Sequence, residues 1–128
     1  MAFYLDIPDE YAATIDSVSL RKNIELLLIK LDIPHTTEFS VAFVNDEHIR
    51  ILNQDFRGID ASTDVLSFPS EEVNPEDNTT YIGDIIISMD TVRTQSENAN
   101  ISQLDEIHLL IIHGLLHLQG YDHDTDEN

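Results

Sequence analysis

Three of the chain's six histidines fall in one run near its end, His113-Gly114-Leu115-Leu116-His117-Leu118-Gln119-Gly120-Tyr121-Asp122-His123. The separation of His113 and His117 puts both imidazoles on one helical face, with Cβ atoms about 5–6 Å apart, close enough to share an ion. Gly120 can take the left-handed conformation that ends a helix, and the Tyr121-Asp122 turn can return His123 toward the pair from a third direction. Three neutral imidazoles with one open position form the ligand set of a catalytic zinc, whereas structural zinc is usually closed by four ligands. The chain has no cysteine to close it. His113 and His117 also interrupt an apolar run over residues 109–118, where burying two unpartnered rings would be costly, and one ion accounts for both. His35, His48 and His108 have no such company and are read as ordinary core or surface residues.

Zinc polarises a carbonyl or phosphoryl oxygen and lowers the pKa of a coordinated water to about 7, so hydrolysis is the expected reaction class. Metallopeptidases of the H-E-x-x-H type place a glutamate directly after the first histidine. Here that position is Gly114, and peptidase chemistry of that kind loses its base. Asp122 is read as a turn residue and Asp124 as the start of an acidic tail. Neither is assigned a catalytic role, although either could accept the free N–H of a ligand histidine.

The elements that must position these residues are legible in outline. Residues 1–7 read as a short strand. Leu20, Ile24, Leu27, Leu28 and Leu31 recur at helical spacing behind a cap at Asp16 or Ser17, which predicts a helix over residues 17–31. Residues 38–44 alternate Phe39, Val41 and Phe43 with smaller residues, as a half-buried strand does. Asn45 or Asp46 then caps a helix in which Ile49, Leu52 and Phe56 share a face and Gly58 is the stop. Residues 64–68 are expected to form a second central strand closed by Pro69, residues 70–80 an acidic loop, and residues 81–88 another strand. A short helix over 90–97 follows, and Ser102 with Asp105 resembles a capping box opening the histidine helix. Gly114 on that helix costs about 1 kcal/mol relative to alanine, which makes sense if the strand holding Ser67 or the one holding Ile85 approaches closely. The order implies an α+β fold: residues 1–128 as a single domain, with a mixed sheet of about four strands packed with helices.

Composition narrows the function classes. At 128 residues and 41% hydrophobic content the chain can bury one core. It shows no run of eighteen uncharged apolar residues and no basic-then-apolar start, so neither a membrane span nor a signal peptide is expected, and the cytoplasm is the simplest location. The net charge of −19, with only six Lys and Arg, lowers the expectation of a nucleic-acid partner, which normally meets a basic stripe. It leaves room for a local positive patch around an arginine and a metal ion.

The histidine run resembles the signature H-G-x-L-H-L-x-G-Y-D-H of the YbeY family of endoribonucleases and rRNA maturation factors. Asn53-Gln54-Asp55-Phe56-Arg57-Gly58 resembles the family's N-x-x-[YF]-R-G block, Thr63-Asp64-Val65-Leu66-Ser67-Phe68-Pro69 its T-D-V-L-S-F-P block, and Gly83-Asp84-Ile85-Ile86-Ile87-Ser88 its G-D-I-x-I-S strand. The blocks fall in the family's order, and a departure follows Arg57-Gly58, where Ile59-Asp60 lacks the basic residue that family members commonly carry, as in R-G-K-D. The resemblance implies a zincin-like helix with one zinc held by His113, His117 and His123, and a functionally important arginine at Arg57. It implies a single-strand-specific endoribonuclease acting in 16S rRNA 3′-end maturation and ribosome quality control, with ribosomal proteins and an Era-type GTPase as partners and neither membrane nor DNA. Arg57 suits the role, because a guanidinium holds a phosphate bidentately and neutralises charge during in-line attack; judged from the residues alone, a structural ion pair with one of the acids is the competing reading. The alternative function is a metal-containing ribosome-assembly factor with little turnover, its acidic surface docking basic ribosomal proteins.

Overall fold

A computed structural model describes residues 2–120. It contains β1 (Ala2–Asp6), a 3₁₀ turn (Asp9–Tyr11), α1 (Ser17–Lys30), β2 (Thr37–Val44), α2 (Asp46–Arg57), β3 (Val65–Asn74), β4 (Thr79–Ser88), α3 (Met89–Ala99) and α4 (Gln103–Leu118). The helix starts rest on caps: Asp16 Oδ1 accepts from the amides of Val18 and Ser19, Asn45 Oδ1 from His48, and Ser102 Oγ from Asp105. Gly58 ends α2 in the left-handed conformation (φ 73°).

The sheet is mixed, in the order β1-β2-β4-β3, with β1, β2 and β4 parallel and β3 antiparallel to β4. Alternation along the strands sends Phe3, Phe39, Val41, Phe43, Ile85 and Ile87 into one core with Leu20, Ile24 and Leu28 of α1 and Ile107, Ile111 and Leu115 of α4. Leu66 and Ile86 are paired neighbours pointing to the opposite face, and Leu66 and Ile49 of α2 are buried apart from that core. On β4, Asp84 accepts from the hydroxyl of Tyr81, which also meets Ser40 Oγ at 2.5 Å. Burial, followed by the bond to Asp84, pushes the Tyr81 phenol up to about 12.

Three expectations change. The strand containing residues 64–68 is an edge strand, not a central one, and it does not stop at Pro69. A register shift between Pro69 and Glu72 lets the chain pass a residue with no N–H, after which Glu72, Val73 and Asn74 pair with Tyr81, Thr80 and Thr79. The acidic stretch 70–80 is therefore mostly hairpin. Its tip is held by side-chain bonds from Glu76 N to Asn74 Oδ1 and from Thr79 N and Oγ1 to Asp77 Oδ1.

Phe56, expected on the buried face of α2 with Ile49 and Leu52, is 69% exposed. Asn53 occupies the buried position instead, at 4% exposure, and its Nδ2 donates to Ala61 O at 2.9 Å. With Arg50 paired to Asp60 and Glu47, this ties the segment after Gly58 back onto α2. Asp60 thus has a structural partner in Arg50.

Candidate active-site cleft

The expected close approach at Gly114 is present. A Cβ there would lie 2.8 Å from Ile85 Cγ2 on β4, and the hydroxyl of Ser67 on β3 makes a long 3.5 Å contact to the Gly114 carbonyl. Gly83 is constrained in the same way from the other side: at φ 138° an added Cβ would stand 2.2 Å from Phe68 O and 2.8 Å from Leu118 Cδ2. Two glycines therefore bring β3, β4 and α4 closer together than any side chain would permit.

This contact sets the position of the histidine helix. His113 is exposed and His117 half-buried, and their ring centroids are 4.5 Å apart at an interplanar angle of 32°, one turn apart on the same face. They open onto a cleft of about 440 Å³. β3 supplies Val65, Ser67, Phe68 and Pro69 to its wall, and the last turn of α2 supplies Phe56 and Arg57. Strand alternation places Ser67 toward α4 and Phe68 toward α2, where its ring meets Phe56 edge to face at 5.3 Å. Because β3 is the edge strand, no further strand separates the helices packed on its two sides, and the cleft runs across that edge.

Arg57 differs from the other arginines. Arg50 is held by Glu47 and Asp60, Arg93 by Asp90 at 3.6 Å, and Arg21 lies over the Phe3 ring at 5.4 Å. Among the described residues Arg57 has no ion pair, so the structural reading weighed for it finds no support there. Among the described residues no acid closes on this guanidinium, which lines the histidine cleft. His48 and His35 are exposed and His108 half-buried, all outside the cleft, in keeping with their assignment.

The donor set suits a metal as far as it is described. Two imidazoles share one helical face and line the cleft with Arg57 and Ser67; among the described residues no third His, Asp, Glu or Cys joins them. His123, the expected third ligand, lies outside the described residues, as do Asp122 and Asp124.

A residue not singled out in the sequence, Glu106, is buried on the core side of α4 before the histidines. Desolvation, followed by the negative charge of Asp64, raises its carboxyl above the usual range. A raised carboxyl favours folding while protonated. That contribution is complete below the unfolded value of about 4.3 and is lost as pH climbs through the raised folded value. Glu106→Gln is therefore expected to be more stable than the parent at neutral pH, with the advantage shrinking toward about pH 4, as measured by urea denaturation at both pH values.

The class is an α+β domain whose edge-strand cleft joins an imidazole pair to a guanidinium with no ion pair among the described residues. The family described as Endoribonuclease YbeY matches residues 8–128, and the chain belongs to that family. An Endoribonuclease YbeY of Roseiflexus castenholzii is 37% identical, covering 94% of this chain and 78% of that protein. One from Geobacillus kaustophilus is 39% identical, over 99% of this chain and 87% of the other. The solution structure of TM1509 from Thermotoga maritima superposes with a TM-score of 0.62 at 32% identity, covering 96% of this chain and 75% of that one.

Proposed function

We propose that the chain is a zinc-dependent, single-strand-specific endoribonuclease acting in 16S rRNA 3′-end maturation and ribosome quality control in the cytoplasm. The observation that carries this is Arg57, with no ion pair among the described residues, lining the same cleft as the His113–His117 pair. His113, His117 and His123 would hold the ion. When bound, zinc supplies Lewis-acid polarisation of a phosphoryl oxygen and a nucleophile at neutral pH. Arg57 donates to the oxygens of the scissile phosphate through its planar fork and neutralises charge that grows on the non-bridging oxygens during in-line displacement. Gly114, packed against Ile85 and without a side chain, supplies no peptidase-type base after the first histidine. Single-stranded rRNA, ribosomal proteins and an Era-type GTPase complete the proposed partners, and neither DNA nor a membrane is among them; among the described residues no helix is long and apolar enough to cross a bilayer.

The charge of −19 favours a second reading, a metal-containing ribosome-assembly factor with little turnover whose acids dock basic ribosomal proteins. Cleavage of a single-stranded rRNA 3′-end fragment decides between them. Protein freed of contaminating nucleases should cut it when zinc-loaded, lose activity on chelation and regain it with added zinc, while sparing a duplex of the same sequence. Wild-type protein that leaves the strand intact with a full equivalent of zinc overturns the nuclease reading.

A further inference from the structure

Phe56 is an expensive residue to leave in water. It is 69% exposed on the last turn of α2, although a side chain of that apolar area is normally stabilised by burial. It is not a free rotor, because the edge-to-face contact with the half-buried Phe68, at 5.3 Å and 69°, fixes the ring's orientation. Both rings line the cleft, and the next residue in the chain is Arg57. Gly58 then turns the backbone away, so no following side chain from the helix covers the ring.

We propose that Phe56, braced by Phe68, is a stacking platform for an unpaired nucleobase next to the phosphate held by Arg57. The inference rests on the endoribonuclease reading and adds to it the residue that makes the site prefer single strands. An aromatic face accepts any base whose own face is open, whereas in a duplex both faces are already occupied by neighbouring bases. A guanidinium alone discriminates poorly, since phosphates are presented by single and double strands alike. The edge-to-face geometry orients the ring without covering it with a parallel neighbour.

The test is equilibrium binding of short 2′-O-methyl RNA strands, which resist cleavage, followed by fluorescence anisotropy. Phe56→Ala should weaken binding of the single strand by about fivefold to a hundredfold while leaving duplex binding unchanged. Phe56→Tyr should retain affinity, whereas Phe56→Leu, with apolar bulk but no π face, should behave like alanine. With an abasic position at the stacked nucleotide, wild type and Phe56→Ala should bind alike. If Phe56→Leu matches wild type, or if Phe56→Ala weakens abasic and intact strands equally, the platform is overturned. Cleavage of unmodified RNA by wild type is measured separately, so the platform can fail while the nuclease reading stands. Wild-type protein that binds neither strand overturns both.

Discussion

Arg57→Ala is expected to lower kcat/KM for a single-stranded rRNA fragment by about 10²–10³-fold, the range for removing one donor aimed at developing charge. The loss should fall largely on kcat, because charge on the phosphoryl oxygens is greater in the transition state than in the bound substrate. Arg57→Lys preserves the charge but not the planar two-pronged donor, and should recover only part of the rate. A binding measurement separates charge from geometry. The salt dependence of uncleavable single-strand binding should fall by about 0.7 in log–log slope for Arg57→Ala, as one phosphate contact is lost, and should stay unchanged for Arg57→Lys. Little loss of stability is expected, since the side chain is exposed and has no ion pair among the described residues. An Arg57→Ala protein that cuts at the wild-type rate would remove Arg57 from the mechanism.

The reach of the sequence is clearest on α2. Its start at Asn45 and stop at Gly58 follow from capping chemistry that acts over three or four residues, and both are where that chemistry predicts. Phe56 is misjudged because helical periodicity identifies a face but not how far that face stays over the sheet. Asn53 is buried in its place for the bond to Ala61 O, a contact formed by a turn the periodicity does not describe. The 70–80 hairpin is hidden for a related reason. Its residues are acidic and carry a proline, so local propensity points to a loop, while the strand exists through pairing with residues 79–81 across the register shift. Close packing at Gly114 was legible, because a glycine in mid-helix carries a propensity cost that a close neighbour explains. The cleft itself was not. It depends on β3 being an edge in the order β1-β2-β4-β3, and chain order alone does not decide which strand lies outermost.

The histidine pair carries the other large effect. His113→Ala and His117→Ala should each abolish retention of a full equivalent of zinc after dialysis, and cleavage should fall to background with it. The separation of the rings explains why either loss suffices. At 4.5 Å between centroids, one turn apart on α4, the two imidazoles can converge on a single ion, and a lone helix imidazole cannot replace that convergence. Changes to groups that merely orient ligands typically cost 10–100-fold in metal affinity, so removing a ligand should exceed that range. His123→Ala tests the third ligand by the same measurement, and His48→Ala, an exposed position on α2, should leave zinc content unchanged. Stability supplies a readout independent of activity. Zinc at about a hundred times its dissociation constant should stabilise wild type by about 2.7 kcal/mol against unfolding, a gain the ligand variants should not show. His117→Ala protein that keeps a full equivalent of tightly bound zinc and the same zinc-dependent rise in Tm would show that the ion sits elsewhere, and the cleft would then have to work through Arg57 without it.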